Sequence, residues 1–219
     1  MRLANVLPTD RNNCPWLVAF VMLWAISCIA VPYPEYFVMQ HVPTVVAVVG
    51  LVIAERKQLI DRLGFAMIVG FLMLHLLGAR YLYSFVPYDD WTQHLFGVRV
   101  TDYFEFRRNH YDRLVHFCFG LLFVYPLWRF FERRLGVMGW WPAVLAVCMV
   151  LAAGAVYEIC EWLTAMTFAP DWADAYNGQQ GDVWDAERDM AIAALGSLIA
   201  VACIGFTRRL AGEHRAPRS

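Results

Sequence analysis

Long apolar runs and short polar connectors alternate along this chain. The runs cover about 15–31, 38–54, 64–86, 112–131, 140–168 and 189–206. Each has at least 17 residues, the lower end of the range of about 17–25 with which a helix crosses a hydrocarbon core of about 30 Å. Turn and cap residues separate them, among them Pro32-Tyr33-Pro34, Pro87 before Asp89-Asp90, and Asn177-Gly178. The pattern predicts an all-α fold: a polytopic membrane helix bundle of about six transmembrane helices. No polar stretch is large enough to fold separately, so residues 1–219 read as a single integral membrane domain. The first run, flanked by Arg11 and ending near Cys28-Ile29-Ala30, has the outline of a signal peptide. It is long enough to span, so it is read as a retained helix.

Composition agrees with the pattern. The chain is 60% hydrophobic and only 17% charged, with a mean hydropathy of +0.46; soluble domains carry about 25% charged residues. A net charge of −1 and the lack of any basic arm exclude a nucleic-acid partner as the expectation. The six cysteines fall mostly inside apolar runs without paired spacing, and read as small buried hydrophobes.

Lys and Arg set the orientation, because cytoplasmic connectors are enriched in them. With a cytoplasmic N-terminus, the inner segments hold Arg2, Arg11, Arg56, Lys57, Arg62, Arg129, Arg133, Arg134, Arg208, Arg209, Arg215 and Arg218. The outer segments hold only Arg99, Arg107, Arg108 and Arg188. Both termini are therefore expected in the cytoplasm.

Against this background the ionisable residues near the spans stand out, since each costs roughly 2.5–3.5 kcal/mol at mid-helix on insertion scales. His75 and Arg80 lie in the third run. The fourth opens with His110, Asp112, Arg113 and His116; the fifth carries Glu158 and Glu161; the sixth opens with Asp182, Asp185 and Asp189. Spacings of three, four and seven place each set on one helix face. Small residues continue those faces at Gly120, Gly154, Ala193, Gly196 and Ala200, as close helix contacts in membranes require.

Each residue also has a plainer role. Asp182, Asp185 and Asp112 suit helix N-termini; Arg80 could serve as a structural counter-ion for Glu158 or Glu161; His75 suits a hydrogen-bonded core. The nine Trp and ten Tyr form an aromatic belt. Capping does not explain Asp189, which lies further into the helix. So many carboxylates with few nearby arginines call for protons, a metal or a cationic substrate to balance them.

The segments His110-Tyr-Asp-Arg-Leu-Val-His-Phe117, Tyr157-Glu-x-x-Glu-Trp162 and Gln180-Gly-Asp-Val-Trp-Asp185-x-x-x-Asp189-Met190 resemble the YjdF-like family of bacterial inner-membrane proteins. The likeness covers about residues 12–208. The family's usual lead is Gly-Thr-Gln-Gly-Asp, where this chain has Gly178-Gln-Gln-Gly-Asp182. The resemblance implies the architecture and the special residues, and leaves the reaction open.

Three functions follow. The first is a hydrolase or transferase acting on a lipid or envelope substrate at the outer leaflet. His116, Glu158, Glu161, Asp182, Asp185 and Asp189 would hold a divalent metal ion, with His110 or Asp112 as general base and Arg80 or Arg113 gripping the substrate. The second is an ion- or proton-coupled transporter, and the third a non-catalytic accessory protein held together by charge pairs. For the orientation, a reporter active only outside the cytoplasm and fused after Asn177 is expected to be active; a silent fusion there would reverse the topology.

Overall fold

The computed structural model describes residues 10–168, 171, 173, 178–210 and 212. Asn177, Arg2, Arg215 and Arg218, used above, lie outside these residues. Among the described residues all regular structure is helical: α1 (Cys14–Ser27), α2 (Pro34–Arg56), α3 (Arg62–Arg80), α4 (Tyr88–Phe96), α5 (Val100–Tyr103), α6 (Tyr111–Leu135), α7 (Trp141–Phe168) and α8 (Asp185–Leu210). Five of these, α2, α3, α6, α7 and α8, are long and apolar enough to cross a membrane.

The first expected span is shorter than its apolar run. Helix α1 has 14 residues, about 21 Å at 1.5 Å per residue. Its ends are nevertheless tied to opposite ends of the α2–α3 pair. Asn13, just before it, donates to Glu55 at the end of α2 (3.4 Å). At its other end, Arg80 of α3 donates to the Ser27 and Ala30 carbonyls. Thus α1 lies antiparallel to α2, but it is shorter than α2 and α3 and is not among the helices long enough to cross a membrane. Arg80 is therefore not the counter-ion of Glu158 or Glu161. The carbonyls left open at the end of α1 claim its guanidinium instead.

The third span also ends early, at Arg80 rather than 86. Leu82 and Tyr83 both adopt left-handed backbone, with φ of 49° and 54°. The chain folds back so that the Tyr83 amide donates to the Gly78 carbonyl (2.8 Å), and the Tyr83 ring occupies the space where a Cβ on residue 78 would stand. Two consecutive non-glycine residues in this region are costly; they turn Tyr83 inward.

The tightest seam joins α6 and α8, which run parallel. A Cβ on Gly120 would collide with the Ala193 carbonyl, and one on Gly196 with the Phe117 carbonyl. The backbones touch there, as small residues allow. Gly154 behaves differently: nothing lies within 4 Å of its Cβ position, and it borders a cavity. Below the glycine seam, Val124, Trp128, Phe131, Ala143, Ala146, Val150 and Ala200 form a core between α6, α7 and α8. A second core joins α1, α2 and α3 around Phe20, Phe65 and Leu72. All six cysteines are free, but they are not the buried residues expected: Cys14 and Cys118 are half-buried, and Cys28, Cys148, Cys160 and Cys203 are exposed on the bundle surface.

One end of the bundle carries the arginines. Asp61 caps α3 through the Gly64 amide (2.9 Å) and faces Arg129 and Arg133 at 3.6 and 3.5 Å. Glu132 is held by Arg208 through both oxygens, at 2.5 and 2.7 Å. The acidic sequence motifs lie at the other end. Gly196→Val is expected to lower the unfolding midpoint in detergent, at a cost of about 1–3 kcal/mol or more, the usual range for overpacking. An unchanged midpoint would show that the seam is looser than described.

Candidate functional site

The parallel register of α6 and α8 assembles the acidic end. Gly120 meets Ala193; two turns earlier the same faces bring Arg113 to Asp185 and Asp189. Arg113 Nη1 lies 2.8 Å from Asp189 Oδ1, and Nη2 lies 2.7 Å from Asp185 Oδ1 and 3.0 Å from Asp182 Oδ2. Nη1 also donates to the Asp185 carbonyl (2.9 Å). Arg108, on the segment before α6, donates to Asp185 Oδ1 (2.7 Å) and to the Gln179 carbonyl. Arg188 adds an ion pair to Asp182 at 2.6 Å. Asp182 and Asp185 are thus surrounded by guanidinium groups.

Asp182 also accepts from the Trp184 amide (3.1 Å), the capping role its position suggested. Burial works to raise its pKa, but the Trp184 amide and the Arg188 and Arg113 charges outweigh it and hold the carboxyl below its ordinary value.

The remaining acids are differently placed. His116 Nε2 lies 3.3 Å from Glu158 Oε1 and 3.6 Å from Asp112 Oδ1. Asp112, His116 and Asp189 are all buried, and one ligand atom from each lies within 4.8 Å of the others. Glu158 Oε1 and Asp189 Oδ1 are buried without an aligned hydrogen bond, although charged partners stand nearby. Such oxygens are rare in folded proteins and need an explanation. Glu161 follows one turn after Glu158 on α7 and is half-buried. Helices α6, α7 and α8 therefore bring together His116, Asp112, Glu158 and Asp189 in one place, and Arg108 and Arg113 with Asp182 and Asp185 beside it. Arg80 lies apart, at the end of α3, bonded to carbonyls at the end of α1.

His110 stands at the rim, outside the buried cluster. Its ring lies 4.1 Å from Phe106, and its amide donates to the Tyr88 hydroxyl (3.0 Å). It borders a surface pocket with Arg107, Arg108, Arg113 and Arg188. Burial, then the charges of Arg108 and Arg113, push its pKa down, which favours a neutral imidazole able to accept a proton.

Beneath the cluster lies a cavity of about 460 Å³ between α2, α3, α6 and α7. Thr44, His75, Tyr83, Asp112, His116 and Tyr157 all border it, and the Tyr83 and Tyr157 side chains share a hydrogen bond. His75 Nε2 meets the Thr44 hydroxyl at 2.8 Å, and its Nδ1 meets the Tyr83 hydroxyl. His75 is a satisfied core histidine and also part of the cavity wall.

Several contributors escape a reading of helix faces. Arg108 belongs to a connector, so nothing in helical spacing points to it; the unbalanced charge of the aspartates is the only signal. Gly178 has φ +74°, and a Cβ there would strike the Asp112 carboxylate. Gln180 pairs with Asn109 in both directions, accepting from its amide (2.9 Å) and donating to its carbonyl (3.0 Å). These two residues of the Gly178–Asp182 lead fasten the loop over the site. Tyr83 reaches the cavity only through the left-handed turn after α3.

Comparison with known proteins gives a consistent result. The family described as predicted membrane protein, DUF2238, matches residues 13–210. The inner membrane protein YjdF of Escherichia coli (strain K12) is 31% identical over 166 residues, 75% of each chain. No solved structure matches.

A depressed carboxylate stabilises the fold above its unfolded pKa, about 3.9 for Asp, and that contribution is lost as pH falls through the lower folded value. Wild-type protein is therefore expected to lose stability below about pH 4 more steeply than Asp182→Asn. Superimposable acid profiles of the unfolding midpoint would refute the role of this ion pair.

Proposed function

The chain belongs to the DUF2238 family of predicted membrane proteins, and we propose that it is a membrane-embedded, metal-dependent hydrolase or transferase acting on a lipid or envelope substrate. It is a multi-pass protein, of the inner membrane as its Escherichia coli relative is described.

The observation that carries this reading is the buried group Asp112, His116 and Asp189, beside a Glu158 oxygen that is buried without a hydrogen-bond partner and faces His116 at 3.3 Å. Carboxylate and imidazole ligands from facing helices are how metal sites are built in bundles. Arg108, Arg113 and Arg188 balance Asp182 and Asp185, but Asp112, Glu158 and Glu161 bring further negative charge without further arginines. A divalent ion would offset that excess. Bound there, it would polarise a carbonyl or phosphoryl oxygen and supply a water ready to attack.

The chain's own residues supply the rest. Glu158, 3.3 Å from His116, suits general base work. Arg113 fixes α8 so that Asp189 faces α6. Tyr83 and Tyr157 border the cavity with His116, where their hydroxyls can orient a polar headgroup. Gly178 and Gln180 close the loop over Asp112 and limit water. The inner wall of the cavity, Ile68, Phe71, Leu72, Phe119 and Phe123, offers an ion no polar step. This favours the enzyme over an ion- or proton-coupled transporter. An accessory protein held by charge pairs would need the arginine-aspartate contacts but not the unsatisfied Glu158 oxygen.

Protein purified in detergent is expected to hold a stoichiometric divalent metal. His116→Ala and Asp189→Asn should lose it, while circular dichroism stays that of the wild type. Wild-type protein free of metal after purification in metal-supplemented buffer would sink the metalloenzyme reading.

A further inference from the structure

The cavity beneath the cluster has a shape of its own. Its walls on α2 run from Pro43 to Ala54, and on α6 from Asp112 to Phe123. Each stretch is eleven residue steps, about 16 Å at the helical rise. That is close to one leaflet, half of a hydrocarbon core of about 30 Å. Polar groups line one end, at Thr44, His75, Tyr83, Asp112, His116 and Tyr157; apolar groups line the rest.

Access is from the side. Helix α2 packs on α3, and α7 packs on α6 and α8, but α2 and α7 make no backbone approach to each other among the described residues. On these two helices the cavity-lining residues Pro43, Ala47, Gly50 and Ala153 are exposed, and both helices are long and apolar enough to cross a membrane. Two glycines, Gly50 and Gly154, line the cavity, and nothing lies within 4 Å of either Cβ position. Glycine at both positions keeps open a space that any larger side chain would occupy.

We propose that this cavity is the binding site for a single lipid acyl chain, which enters from the bilayer between α2 and α7. The chain lies along Ala47, Gly50, Phe119 and Phe123, and its carboxyl or ester end rests against His116 and Tyr157, because both nitrogens of His75 are already bonded to Thr44 and Tyr83. A chain of this kind satisfies both halves of the site: methylenes leave water-poor lipid for an equally apolar wall, and the oxygens at its head meet hydroxyl and imidazole donors. The inference deepens the lipid-substrate reading of the metal cluster and rests on that reading for the placement of the reacting head.

The test uses full-length protein in nanodiscs and palmitic acid bearing a diazirine near its terminal methyl, with crosslinked peptides mapped by mass spectrometry. Labelling is expected on α2 and α6 at residues lining the cavity, and excess unlabelled palmitate should suppress it. Gly154→Leu should cut labelling several-fold while metal content and unfolding midpoint stay at wild-type values. Gly50→Leu provides the same block from the opposite wall if Gly154→Leu does not fold. Labelling that persists in the folded leucine variants, or falls only on outward residues such as Val46, would overturn the proposal. The two readings fail separately. Asp189→Asn, lacking metal, should still be labelled. Metal without labelling removes the acyl site alone; cavity labelling without metal removes the metal centre alone.

Discussion

The acidic end of this bundle depends on one guanidinium. Arg113 is buried and bridges Asp182, Asp185 and Asp189, which together begin α8. Breaking a buried ion pair from one side costs about 3–5 kcal/mol, because a lone charge is left behind. Here the loss would strand Asp189, while Arg108 still pairs with Asp185 and Arg188 with Asp182. The glycine seam lets that guanidinium reach. Gly120 and Gly196 bring α6 and α8 into backbone contact two turns further along, and that approach sets the helix separation that Arg113 spans.

The clamp divides the carboxylates into two groups. Asp182 and Asp185 sit among arginines and hold structure together. Asp112, Asp189 and Glu158 gather about His116, and Asp189 is at the same time paired with Arg113. The division follows from geometry: Arg108 and Arg113 approach from the loop side, and they reach the first turn of α8 before they can reach α7. The cavity begins where the guanidiniums stop. Its polar mouth is shared between His116 on α6 and the His75–Tyr83 pair held by the turn after α3.

The opposite end is built on a different plan. Asp61 faces Arg129 and Arg133, and Glu132 is gripped by Arg208, so each acid there has a basic partner from α6 or α8. These groups lie nearer the connectors and are partly exposed, where ion pairs contribute little. Their arrangement fits a solvent-facing end of helices, whereas the acidic end is buried and would cost far more without its clamp.

Much was legible from the residues alone. Apolar run length determined a helical membrane bundle, because lipid offers backbone groups no partners and enforces helices. Spacing along α6, α7 and α8 identified the faces that carry Asp112, His116, Glu158 and Asp189. It also identified the small residues at Gly120 and Gly196, since helical periodicity maps sequence to face directly. Contacts between elements far apart in sequence decided the rest. Only the fold shows that Arg80 bonds to the carbonyls at the end of α1, that Arg108 neutralises Asp185, and that α3 stops at Arg80 so that Tyr83 can turn inward. Gly154 made the same point: it looked like a residue for close packing, yet it faces empty space, because a glycine permits either and only the neighbouring helix determines which. Periodicity records which way a side chain points; tertiary packing alone determines what it meets.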